Sequence, residues 1–180
     1  MKINIKDIAP EGRQVNRRFT SDEVRSMLSG SGLEPLDREA ELEVALTLYR
    51  TNAAVMVYGT ATGAYWLSCS RCLEPCPVQV NEPEVRLTYL PPPTDFEAER
   101  ELDLDDLDTA SHDGVEVDLE PLLREQLVLA VPINPLCQPD CKGICPSCGT
   151  DLNKKTCGCE NELPETNPWK RAIMQLSDEK

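Results

Sequence analysis

The chain has 180 residues, 40% of them hydrophobic but only 4% aromatic, and a formal net charge of −14. That supports one modest core with a small appendage. A uniformly acidic surface repels phosphate backbones, so non-specific nucleic-acid binding is disfavoured and basic partners are favoured. Residues 1–7 lack an apolar signal segment. No apolar run approaches the roughly 20 residues that a spanning helix needs. The expectation is a cytoplasmic protein that does not engage membranes.

In chain order, the first feature is a gathering of Arg13, Arg17, Arg18 and Arg25 without closely matching acids. It is a candidate RNA contact, weighed against ordinary surface charge. Thr20 or Ser21 can cap a short amphipathic helix that follows. Residues 42–49 alternate apolar and other side chains, as a half-buried strand does. Thr51 and Asn52 make a turn, and residues 54–59 return. Gly63 precedes a further strand at 65–69, and a fourth runs over 78–89 to the stop at Pro91, Pro92 and Pro93. The result is a β-meander. Cys69 closes a strand, and Cys72 lies in the turn beyond it.

Residues 95–108 carry eight carboxylates and one arginine. Such a run is usually a solvated loop; the sharper reading is a docking strip for a basic partner. The single histidine, His112, sits among Ser111, Asp113 and Gly114 and reads as a solvated loop residue. A helix then begins with Asp118 as N-cap and Pro121 in its first turn. Leu119, Leu122, Leu123, Gln126, Leu127, Ala130 and Val131 share one face. That helix is expected to cover the inner face of the sheet. A short helix around Trp169 and Ile173 is expected in the tail. The fold class is therefore α+β, an antiparallel meander covered by one main helix, with a small cysteine-rich metal-binding segment. Its parts are residues 1–136, with an acidic loop at about 94–113, then the cysteine-rich segment 137–160, then the tail 161–180.

Cysteine spacing carries the chemistry. Cys137, Cys141, Cys145, Cys148, Cys157 and Cys159 cluster in the last quarter of the chain. The run Cys145-Pro146-Ser147-Cys148-Gly149 has the form of a metal knuckle. Pro146 presets φ, and Gly149 allows a positive φ. Tetrahedral Zn²⁺ accepts four thiolates, and one histidine in the chain makes any closed site mostly or wholly cysteine. Cys69 and Cys72 form a second C-x2-C, but far outside the roughly 15 to 20 residues that usually separate paired motifs. They are either further ligands or buried small hydrophobes. Which four thiols share an ion, and whether there are one or two sites, stays open at this level. Cys76 reads as structural. Nine cysteines leave one unpaired, so a disulfide framework is awkward.

These motifs resemble the YceD family. The resemblance rests on C-x-R-C-L-x-P at residues 69–75, EVDLEPLLREQLVLAVPINPLC at 116–137, DCKGICPSCGTDLN at 140–153, the pair Cys157 and Cys159, and Asn167-Pro168-Trp169. It implies a ribosome assembly factor needed for accumulation of large-subunit rRNA in bacteria and plastids. The implied partners are large-subunit rRNA, a basic ribosomal protein, or both. It carries over no catalytic residue. The competing class is a zinc- or thiol-dependent enzyme. With His112 read as a solvated loop residue and no second histidine, Ser-His and Cys-His nucleophile pairs are nearly excluded, and no phosphate-binding or dinucleotide motif is present.

Overall fold

The computed structural model describes residues 1–92 and 107–159. The acidic run up to residue 106 and the expected tail helix lie outside them. Two sheets and two helices make up the body. Strands β1 (Lys2–Asn4), β2 (Arg13–Phe19), β3 (Glu41–Thr51), β4 (Ala54–Ser68), β5 (Pro75–Leu90), β6 (Thr109–Ser111) and β7 (Glu116–Asp118) are joined by helices α1 (Ser21–Leu28) and α2 (Glu120–Leu129). The main sheet has the order β2-β3-β4-β5-β6; β1 and β7 pair separately. All pairings are antiparallel except β5–β6, which is parallel.

The alternation that marks β3 puts Leu42, Val44, Leu46 and Leu48 on the buried face. The sequence suggests two strands between residues 54 and 69, with Gly59 and Gly63 as breaks. They are instead one continuous strand of 15 residues. A Cβ at Gly59 would overlap the Ala45 carbonyl oxygen, and one at Gly63 the Glu41 carbonyl oxygen. These glycines therefore let β3 lie against β4 rather than end it.

Strand β5 holds Pro83 in its middle, where the register with β4 slips between Gly59 and Ala61. This bulge inverts the side-chain parity, so Val78 and Val80 before it and Val85 and Tyr89 after it all face the core.

Both helices pack on that face. In α1, the Thr20 N–H donates to the Glu23 carboxylate at 2.9 Å, and Val24, Met27 and Leu28 are buried. In α2, Leu122, Leu123 and Leu127 are buried, and Tyr65 Oη donates to Leu127 O at 2.7 Å. Asp118 does not occupy the cap position itself. It ends β7, one residue before the cap Leu119, and its Oδ1 accepts the Glu120 N–H at 3.0 Å. His112 is a correction of the solvated reading: it is buried. Its Nε2 lies 2.8 Å from Ala53 O, and its Nδ1 accepts the Gly114 N–H at 2.9 Å. That pair of bonds places the proton on Nε2, and turn residues around a histidine do not reveal such a pocket.

No described helix is long and apolar enough to cross a membrane.

Candidate metal centres

Strand β4 stops at Ser68, and the chain turns at once through Cys69 and Cys72. The Cys69 N–H donates to Glu74 O at 2.8 Å, and the Leu73 N–H returns to Cys69 O at 3.0 Å. Leu73 has a φ of 63°. The same six-residue turn recurs at the second C-x2-C. There the Cys145 N–H donates to Thr150 O at 2.8 Å, the Gly149 N–H to Cys145 O at 2.9 Å, and Gly149 has a φ of 72°. Backbone N–H groups inside such a turn face the first sulfur, as the Arg71 N–H does at 3.5 Å from Cys69 Sγ.

The described thiols fall into two sets of four. One comprises Cys69, Cys72, Cys137 and Cys141; the other comprises Cys145, Cys148, Cys157 and Cys159. Within each set all sulfurs lie within 4.8 Å of one another. The Cys69–Cys141 separation is 3.8 Å and the Cys72–Cys137 separation 3.4 Å. The edge of a tetrahedron with Zn–S bonds of 2.3 Å is about 3.8 Å. Each set can therefore hold one metal ion, and its all-sulfur donors suit a soft or borderline one. Cys76 joins neither set. It is buried, and its Sγ donates to Leu136 O at 3.0 Å.

Crowding splits the acidities. Burial opposes ionisation of Cys69, but the N–H groups of Cys137, Arg71 and Cys72 aimed at its sulfur prevail and hold the thiol at about 6. Cys137 is driven the other way, chiefly by its hydrogen bond with Cys72 and then by burial. In the second set the Thr150 hydroxyl, then its N–H, hold Cys148 at about 6. Hydrogen bonding with Cys148 pushes Cys159 up to about 12. Four thiolates this close cannot ionise together without a cation among them.

The sets differ in exposure and are packed together. In the first, Cys137 alone is half-buried and the others are buried. In the second, Cys148 and Cys159 are exposed. The second loop rests on the first knuckle, where Ile144 N–H donates to Arg71 O at 3.1 Å, and it closes on itself through Leu152 N–H to Gly143 O at 2.9 Å. Gly143 has a φ of 77°, and a Cβ there would sit 3.0 Å from Arg71 O. Arg71 Nη1 donates to Cys141 O at 2.8 Å, and Lys154 pairs with Glu74.

The arginines near the N-terminus are not a bare basic patch. Arg13 pairs with Asp7 at 3.6 Å, Arg17 with Glu23 at 2.5 Å and Arg18 with Glu43 at 3.4 Å. Arg25 pairs with Asp22 at 2.5 Å and Asp37 at 2.8 Å. Glu43 and Asp37 arrive from later in the chain, which local sequence does not disclose.

A family model described as "Large ribosomal RNA subunit accumulation protein YceD" matches residues 57–172, a span that contains both thiol sets. The chain belongs to the YceD family. An uncharacterized protein of Mycobacterium tuberculosis is 30% identical over 175 residues, covering 96% of this chain and 81% of its own length. A chloroplastic YCED homolog 1 of Arabidopsis thaliana, named as a large ribosomal RNA subunit accumulation protein, is 38% identical over 47 residues, or 26% of this chain and 15% of its own. The Zea mays protein of the same name is 22% identical over 156 residues, covering 74% of this chain and 52% of its own. No solved structure matches the chain. The family name points to large-subunit rRNA accumulation.

Proposed function

We propose that the protein is a non-enzymatic, cytoplasmic assembly factor for the large ribosomal subunit, with a structural Zn²⁺ in each four-thiol set. The observation that carries the metal reading is the repeated knuckle, with four converging sulfurs at each copy. A set filled by four protein sulfurs leaves no open coordination position for substrate, and such sites stabilise folds rather than catalyse. On this reading residues 137–160 form a metal-organised segment mounted on residues 1–136, and the first metal welds the two. Free, crowded thiols suit a reducing compartment.

The partner is large-subunit rRNA, a basic ribosomal protein, or both. The net charge of −14 favours the basic protein as the tighter contact. Lys142 and Lys155, which make no ion pair among the described residues, offer a weaker RNA contact. An affinity pull-down from cells, with RNA and protein both identified, tests this. Recovery of large-subunit rRNA or its proteins is expected. Intact protein that recovers neither overturns the reading.

A further inference from the structure

Asn153 lies in the loop between Cys148 and Cys157, yet its side chain serves the other thiol set. Its Oδ1 accepts the Lys142 N–H at 2.8 Å and Gln138 Nε2 at 3.3 Å. Its Nδ2 donates to Asp151 Oδ1 at 2.9 Å and to Cys141 Sγ at 3.4 Å. The Lys142 N–H and the Asp151 carboxylate demand the same orientation of the amide. The reverse orientation would face the carbonyl oxygen toward a carboxylate and a sulfur. The backbone holds the residue in place: Asn153 N–H donates to Asp151 Oδ1 at 2.9 Å, and Asp151 sits opposite Ile144 in a β-bridge.

We propose that Asn153 is a positioning residue through which metal in the second set strengthens metal binding in the first. This rests on the two-metal reading. Metal held by Cys145, Cys148, Cys157 and Cys159 closes the loop that carries Asn153. The closed loop presents an N–H donor to the Cys141 sulfur. A donor to a thiolate disperses its charge and fixes its direction toward the metal, and outer partners of this kind typically change metal affinity 10- to 100-fold. The linkage is reciprocal, so metal in the first set, by fixing Cys141, also favours the closed second loop. Exposure gives the pair an order: the second set, with Cys148 and Cys159 at the surface, exchanges first, and the first set follows.

The test is the rate of zinc capture by a chromogenic chelator from the full chain, after zinc has been counted. Wild-type protein is expected to hold two ions and release them in a fast and a slow phase. Asn153→Ala should still hold two, with the slow phase about 10- to 100-fold faster. Asn153→Asp should be faster still, because an anionic oxygen then faces both the sulfur and the Asp151 carboxylate; combining Asn153→Ala with loss of the second set separates the positioning role from a structural one. Cys148→Ser with Cys159→Ser should hold one ion and release it faster than the wild-type slow phase. Adding Asn153→Ala to that pair should change little further. An unchanged slow phase in Asn153→Ala, or effects that simply multiply in the combined variant, would overturn the proposal. Fewer than two ions in the wild type would overturn the two-metal reading itself, and is read out before any rate is compared.

Discussion

Leu73 and Gly149 occupy the same place in two copies of one turn, each five positions into its knuckle, with φ of 63° and 72°. Glycine adopts this backbone freely, whereas leucine pays roughly 1–2 kcal/mol for it. Leu73 is also 66% exposed, so burial does not offset that strain. Leu73→Gly is therefore expected to keep its metal and to change stability by no more than about 1 kcal/mol, because relief of strain is countered by a freer unfolded chain. Gly149→Val should instead destabilise its loop by at least about 1 kcal/mol. Urea unfolding with metal analysis of each variant checks the pair, and loss of metal from Leu73→Gly would contradict the shared geometry.

Losing the second set should open its own loop and weaken the first set's hold on metal without unfolding the sheet. Cys145→Ser with Cys148→Ser is expected to loosen residues 145–159 and leave the sheet protected, since the sheet and its helices have their own core. Cys69→Ser with Cys72→Ser should also free residues 137–141 from the end of β4. Hydrogen exchange distinguishes the outcomes. Loss of protection across β3 and β4 in the first variant would show that the sheet depends on the second set.

Gly59→Ala and Gly63→Ala should each cost about 1–3 kcal/mol, the scale of overpacking, because a methyl group at either site meets a β3 carbonyl that cannot swing aside. Thermal unfolding measures this. Unchanged stability would mean that β3 and β4 lie farther apart.

In protein stripped of metal, Cys148 and Cys159 are both exposed but differ in acidity. Cys148 is held at about 6 and Cys159 pushed to about 12. The thiolate is the nucleophile, so Cys148 should be alkylated well before Cys159 at pH 7. The sign follows from the depressed value: the Cys148 rate should stay level from pH 8 to 7 and fall as pH drops through about 6. Peptide mapping after brief alkylation checks it; a Cys148 preference means that the loop keeps its closed contacts without metal, and equal rates mean that it opens and the split is lost.

Much of this was readable from local sequence, and what was not has a common cause. Cys145-Pro146-Ser147-Cys148-Gly149 announces its turn because proline and glycine stand where the backbone needs them. Its twin at Cys69 hides the same turn behind Leu73. The grouping of Cys69 and Cys72 with Cys137 and Cys141 spans the whole of β5 and α2, a distance over which spacing rules carry no information. The acids that answer Arg18 and Arg25, and the carbonyl that holds His112, likewise come from distant strands and loops. Glycines within β4 misled in the opposite sense: they read as breaks, but the neighbouring strand requires them. Asn153 gave no signal of its own beyond its place between two cysteine pairs.

On our proposal the protein carries two four-thiolate zinc sites. Elemental analysis of protein purified without added metal, combined with a count of reactive thiols under native conditions, tests it most directly. Two Zn²⁺ per chain are expected, with Cys76 the one described thiol outside both sites. No zinc or other metal, with all nine cysteines free or with disulfides within the sets, would contradict it.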